Sequence, residues 1–283
     1  FFAVRALGGI YLDVIAPPVR DVSELASYTF PDLTDASAIR QFRNRHPAAC
    51  ILVEVGGPQQ FTSQNLMNIQ DYMLALYDNP RAIDAFHARV AEWSLGIAKK
   101  AVQAGADMVF IGDDYGMNQA PMIAMELWQR YTYPHLRHMI YEIHRMGVPV
   151  MLHSCGYQEP FLEWYVEAGL DVLQSFQPMA GNDFESAYHE FGSRLTFATG
   201  IDTQQGEAMA PNQFQRDILE YHGIGASGDR FILGMTHMMQ YTMPLANIQT
   251  LLDTVKSIRT PTRSDLLRES SGDITASGRR YTA

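Results

Sequence analysis

Apolar and polar positions recur along this chain as a unit: a run with apolar residues three and four apart, a glycine, a short unbroken apolar run, then a polar cluster. The segment from Asn79 is the clearest example. Pro80 sits in its first turn, Ile83, Phe86, Val90, Trp93 and Ile97 fall on one face, and Gly105 stops it, which predicts a helix. The apolar run 107–111 follows as a strand and ends in Gly-Asp-Asp-Tyr-Gly (112–116). By the same pattern, helices over 126–146, 159–168 and 183–191 stop at Gly147, Gly169 and Gly192. Each feeds a strand, over 148–152, 171–175 and 195–199 respectively. A helix over 212–221, a strand over 231–233 and a last helix from Pro244 complete the series, and another buried-looking strand, 50–55, precedes it. Short apolar runs without alternation mark strands covered on both faces, and strands alternating with helices mark a parallel sheet.

Six strands are predicted in this way, each with polar residues at its carboxyl end. A closed barrel gathers all such ends into one mouth, whereas a doubly wound sheet gathers only those beside its switch point. The expected fold is therefore α/β, a distorted (β/α)8 TIM-type barrel occupying residues 1–258 as a single domain. One or two staves would come from the N-terminal region, where 8–16 reads as extended, or lie outside this chain. The acidic stretch 19–35, broken by Pro31, reads as a surface connection with a helical turn near 23–28. Residues 259–283, polar and aperiodic, read as a mobile tail. The opening Phe1-Phe2-Ala3-Val4-Arg5 is neither a Met start nor a signal peptide, as expected of a chain that begins inside a longer protein.

Composition narrows the function. With 21 Lys and Arg against 31 Asp and Glu, the formal charge is −10, which argues against nucleic acid or an anionic membrane as partner. Two cysteines, Cys50 and Cys155, make no disulfide framework and point to a reducing cytoplasm. Cys50 reads as a small core residue at the start of its strand. There is no apolar run of membrane-spanning length, glycine-rich dinucleotide fingerprint or phosphate loop.

The candidate chemistry lies at the strand ends. The run 148–152 terminates in His153-Ser154-Cys155-Gly156, and in extended backbone His153 and Cys155 point to one face. An imidazole and a sulfur two residues apart suit zinc, but spacing alone favours the plainer reading, a core histidine beside an inert buried cysteine, and the surroundings must decide. Around the same mouth stand Glu54, Asp113, Asp114, Tyr115, Gln174, Gln177, Asp202, Gln204, Thr236, His237 and Gln240. Of the adjacent pair Asp113 and Asp114, only one can face inward in extended chain, and the other would cap a turn. Asp202 could orient a substrate or cap its loop. His135 and His138, three apart on a helix, read as a solvated face.

Four motifs carry a resemblance: Gly-Ala-Asp-Met-Val-Phe-Ile-Gly-Asp-Asp-Tyr-Gly (105–116), Leu-His-Ser-Cys-Gly (152–156), Thr-Gly-Ile-Asp-Thr-Gln (199–204) and Phe-Ile-Leu-Gly-Met-Thr-His-Met-Met-Gln (231–240). In these, and in Pro244-Leu245-Ala246-Asn247 after them, the chain resembles the uroporphyrinogen decarboxylase superfamily from about Gly8 to Ile258. That superfamily includes zinc-dependent, corrinoid-linked methyltransferases. The resemblance implies a distorted barrel, often dimeric, acting on a small molecule. In the methyltransferase branch a His-x-Cys pair, here His153 and Cys155, binds zinc together with a second cysteine near the last barrel strand. Thr236 stands at that second position, with His237 beside it. The leading expectation is a methyl-transferring enzyme whose donor is a methylated small molecule or a corrinoid protein. Asp113, Asp114, Tyr115 and His237 would be catalytic, and Glu54, Gln177, Asp202, Gln204 and Gln240 would bind substrate. The second expectation is a cofactor-free decarboxylase. It lacks the arginine-rich segment that binds acidic side chains in that branch, and His-Ser-Cys-Gly fits it badly. The third is a barrel that binds a ligand without catalysis, prompted by Thr236.

Overall fold

The structure, a computed structural model, describes residues 3–7, 11–32 and 35–258. Strands β1 (Ala3–Leu7) and β2 (Tyr11–Ala16) pair antiparallel in a sheet of their own. Six more strands lie parallel and in chain order: β3 (Leu52–Gly56), β4 (Met108–Gly112), β5 (Val150–Ser154), β6 (Val172–Ser175), β7 (Thr196–Ile201) and β8 (Phe231–Met235). The parallel α/β architecture read from the sequence is the one observed. Six of eight expected staves are present among the described residues, and the β1–β2 hairpin is not hydrogen-bonded to them. The stretch 259–283, expected as a tail, lies outside the described residues, as do residues 8–10 of the extended segment.

Helices cover the outer face of the sheet. The longest, α4 in the order α1 (Ser37–Arg45), α2 (Pro58–Gln60), α3 (Ile69–Asp78), α4 (Pro80–Gln103), buries Ile83, Phe86 and Val90 to within 1% of full burial. Its partner is the helix expected over 126–146. That stretch is two helices, α5 (Met125–Tyr131) and α6 (Tyr133–Arg145), separated at Thr132. Pro134, in the first turn of α6, has no N–H to continue the ladder. Leu136, Met139 and Ile140 of α6 are fully buried. Each such side chain stabilises the fold by about 1.5–3 kcal/mol. Then follow α7 (Leu162–Ala168), α8 (Phe184–Phe191), α9 (Pro211–Gly225) and α10 (Leu245–Ser257). His135 and His138 lie on α6 and bond across to Asp84 and Glu92 of α4, at 2.8 Å each.

Behind the carboxyl end of β4, Tyr115, Trp128, Phe161 and Tyr165 form a fully buried aromatic knot, with Trp128 and Phe161 centroids 4.8 Å apart. On the inner face Met151, Val172 and Ala198 pack with Met108 and Phe110 below the mouth. Cys50 corrects an expectation: it is exposed, because the strand begins at Leu52 and Ile51 takes the buried place. Among the described residues no helix is long and apolar enough to cross a membrane.

Candidate active site

Parallel register brings the ends of three strands together: Gly112 lies opposite His153, and His153 opposite Gln174. Gln174 is oriented from its far side, where its Nε2 donates to the Met235 carbonyl at 3.1 Å. A carbonyl only accepts, so the Gln174 oxygen faces His153 and takes the Nδ1 proton. His153 is thereby held in the tautomer whose Nε2 keeps its lone pair. That nitrogen lies 3.1 Å from Cys155 Sγ.

Cys155 is fixed by its backbone. Its N–H donates to Asp114 Oδ1 at 2.9 Å, and Asp114 Oδ2 in turn accepts from Gln60 Nε2 at 2.9 Å. Across the mouth His237, on the loop after β8, brings its ring centroid to 5.8 Å from that of His153. One donor atom from each of His153, Cys155 and His237 lies within 4.8 Å of the others, the one such group of three found among the described residues. Cys155 and His237 line a pocket of about 370 Å³, together with Asp114, Asn118, Gln177, Gln204, Met117 and Met179, and His153 stands behind them.

Electrostatics decides what the pair can do. Burial, with the Asp114 carboxylate second, pushes the Cys155 thiol up to about 12. A nucleophilic Cys–His pair needs the reverse, a thiol brought down towards neutrality. Burial and then neighbouring His153 depress His237, which favours its neutral, ligating form. Two imidazoles and one sulfur are ligand types that zinc takes, and a bound cation is what would reverse the thiol's reluctance to ionise.

Strain supports the arrangement from behind. Ser175 and Phe176 both have left-handed backbone, φ 107° and 29°, which costs a non-glycine residue about 1–3 kcal/mol. Thr199 Oγ1 donates to both their carbonyls, at 3.1 and 3.3 Å, and Ser175 Oγ donates to the Thr236 carbonyl at 2.8 Å. Beyond this kink Gln177 meets the Cys155 loop, its Oε1 accepting the Gly156 N–H at 2.8 Å.

The family model for uroporphyrinogen decarboxylase (URO-D) matches residues 12–258. The chain belongs to the URO-D family. Among solved structures, a methyltransferase from Methanosarcina mazei superposes with a TM-score of 0.68 at 16% identity, over 90% of this chain and 75% of its own. A B12-independent methionine synthase from Shewanella sp. W3-18-1, in complex with selenomethionine, gives a TM-score of 0.57 at 10% identity, over 86% of this chain and 69% of its own. At these identities the likeness establishes the fold, that of TIM-barrel proteins. Comparison with curated protein sequences gave no match. The URO-D family and both neighbours are enzymes.

Within this URO-D fold the residues expected at the mouth divide. Asp114, Cys155, His237, Gln177 and Gln204 line the pocket, and His153 meets it through Cys155 and His237 without lining it. Asp113 and Tyr115 do not reach it; both are fully buried, and Tyr115 donates its hydroxyl proton to Asp113 at 2.8 Å. Asp113 caps α2, accepting from the N–H groups of Gln60 and Gln59 at 2.5 and 3.3 Å. Burial pushes its carboxyl up to about 7 against the pull of those donors. A Cβ on Gly57 would stand 2.2 Å from the Asp113 side chain, so the close approach requires glycine there. Asp202, also buried, accepts from the N–H groups of Gln204 and Gln205 at 2.8 and 3.0 Å, the loop-capping role. Glu54 is exposed on β3, outside the pocket lining, with an oxygen 3.2 Å from the place of a Gly112 Cβ. Gln240 also lies outside the lining, its Nε2 donating to the Met238 carbonyl at 3.4 Å. Thr236 is fully buried, and its Oγ1 faces Thr203, 3.4 Å from that hydroxyl, rather than the sulfur.

Sequence reasoning missed Gln60, Ser175 and Asn182. Asn182 stitches two loops, donating to the carbonyls of Gly156 and Gln177 at 3.0 and 2.7 Å and accepting from Gln158 N–H at 2.8 Å. It also left Gln174 without a role. Gln174→Leu removes the acceptor that fixes the imidazole, so metal affinity is expected to fall about 10–100-fold. Competition with a chromophoric chelator measures this, and an unchanged constant would show that the Gln174 contact does not orient His153.

Proposed function

We propose that this chain is a zinc-assisted methyltransferase of the URO-D family. It would move a methyl group from a corrinoid protein or a methylated small molecule to a thiol. The observation that carries the reading is the His153–Cys155–His237 group, of which Cys155 and His237 line a pocket beside Asp114. His237 supplies the third donor that Thr236, turned towards Thr203, does not. Gln174 presents His153 Nε2, and Asp114 holds the backbone of Cys155 in place. When bound, zinc would lower the pKa of a substrate thiol and keep its sulfur nucleophilic. The thiol would give up its proton to solvent, its sulfur would bond the methyl carbon, and the donor–methyl bond would break with its electron pair remaining on the donor. Gln177 and Gln204 offer amide groups to orient the rest of the substrate.

The decarboxylase reading draws no support from the pocket, whose lining among the described residues has no Lys or Arg to receive a carboxylate-rich substrate. Elemental analysis of protein purified without chelator, paired with methyl transfer from methylcobalamin to a thiol, tests the proposal. One zinc per chain and turnover that disappears in His153→Ala are expected. Metal-free protein whose activity survives that substitution would sink it. Stoichiometric zinc with ligand binding but no turnover across a panel of methyl donors would favour the non-catalytic reading instead.

A pH dependence follows from the thiol. With Cys155 pushed up to about 12, binding must expel its proton throughout the neutral range. His237, held low, contributes no proton near neutrality. Apparent zinc affinity is therefore expected to rise about tenfold per pH unit from about pH 7 to about pH 8.5. A flat profile in chelator-competition titrations would mean that Cys155 is not a ligand.

A further inference from the structure

We infer that the thiol accepted at this site carries no acid group. The inference rests on the methyltransferase reading and adds the charge class of its substrate. Six loops leave the carboxyl ends of β3 to β8, over 57–68, 113–124, 155–161, 176–183, 202–210 and 236–244, and five of them contribute to the pocket wall. None of the six contains Lys or Arg, although the chain has 21 such residues elsewhere. The same loops hold Asp113, Asp114, Glu159, Asp183, Asp202 and Glu207.

Among these acids Asp114 stands in the wall itself. Each of its oxygens accepts an N–H at 2.9 Å, from Cys155 and from Gln60, the pattern of a held carboxylate. The remaining wall away from the metal-binding group is amide and thioether: Asn118, Gln177, Gln204, Met117 and Met179. A loaded centre would gain little charge to attract an anion, because Cys155 as thiolate and Asp114 together match the two positive charges of zinc. A substrate sulfur arriving as thiolate adds one more negative charge. A carboxylate or sulfonate on the same small molecule would then face Asp114 with no Lys or Arg on any of these six loops. A hydroxyl or quaternary ammonium meets no such repulsion among the Asp114 carboxylate, the side-chain amides and the thioethers.

The test is titration of cobalt(II)-loaded protein with mercaptopropionate, mercaptoethanol and thiocholine, three thiols of similar length and different charge. The sulfur-to-cobalt charge-transfer band reports ligation without turnover, and calorimetry gives the constants. Mercaptoethanol and thiocholine are expected to bind about tenfold more tightly than mercaptopropionate. Asp114→Asn should narrow the gap to about threefold. Asn118→Lys, at an exposed wall position, should close it from the other side. Mercaptopropionate binding as tightly as mercaptoethanol overturns the inference, and so does a gap that neither substitution moves. Protein that takes up no metal fails the methyltransferase reading itself, and this inference with it. Metal uptake combined with a preference for the acidic thiol refutes the charge class alone.

Discussion

Cys155→Ala is expected to weaken zinc binding about a thousandfold while leaving the fold intact. Complete zinc sites in small domains are worth roughly 10–16 kcal/mol, and one of three protein donors accounts for about a third of that. The thiol holds little of the structure together. Its side-chain contacts are polar ones, to the Nε2 of His153 at 3.1 Å, to Ser175 Oγ at 3.8 Å and to Asp114, and burial leaves it protonated. Thermal unfolding of the metal-free variant should fall within about 2–4 °C of the parent, the shift that about 1 kcal/mol produces in a domain this large. His153→Ala should lose metal to the same extent and release Gln174 as well. Thr236→Cys provides the contrary case. It puts a sulfur where the resemblance expects one, yet the side chain at that position is sealed against Thr203, so affinity should not rise. Isotope-dilution metal analysis of the three variants, alongside their melting curves, decides the matter. Cys155→Ala protein that retains its metal would remove the sulfur from the site, whatever happened to activity.

The central strands β4 to β7 were legible because they are covered on both faces, and burial of that kind leaves an unbroken apolar run; β3 and β8, at the edges and partly exposed, carry short apolar runs as well. Their carboxyl-end clusters were legible for the same reason, since a polar residue directly after such a run has no place in the core. Parity was readable too: one of Asp113 and Asp114 had to turn away. Which one could not be read, because Asp113 is chosen by the N–H groups of Gln59 and Gln60. Those groups come from 57–66, where a short helix passes into a π-helical turn (Phe61–Leu66) without a clean apolar period. Gln60 was hidden in that segment for the same reason. The left-handed conformations of Ser175 and Phe176 left no trace in residue type, because Thr199 and Ser175 hold them through tertiary hydrogen bonds rather than glycine. The break at Thr132 had a visible cause in Pro134, outweighed by the apolar period that runs through it.

Gly156→Ala is expected to abolish metal binding without touching a ligand. Gly156 has φ +80°, and a Cβ there would stand 2.5 Å from the backbone of Gly116 and 2.6 Å from the carbonyl oxygen of Met117. The contact is mutual, because a Cβ on Gly116 would stand 2.5 Å from Tyr157 N and 2.7 Å from the Cys155 carbonyl oxygen. Neither backbone can retreat freely. Tyr157 N–H donates to the Met117 carbonyl at 2.8 Å, and Gly156 is pinned by Gln177 and Asn182. The left-handed penalty of about 1–2 kcal/mol therefore adds to a backbone collision, for a total of roughly 3 kcal/mol or more. That corresponds to a loss of about 6–12 °C in melting temperature. What relaxes is the loop carrying Cys155, which moves the sulfur away from His153 Nε2 and His237. Gly147→Ala separates the two costs. Gly147 has φ +85° with no atom within 4 Å of its Cβ position, so that variant bears the backbone penalty alone. It should melt about 2–8 °C lower and keep its metal. Equal metal retention in the two alanine variants would mean that the packing of Gly116 on Gly156 does not position Cys155.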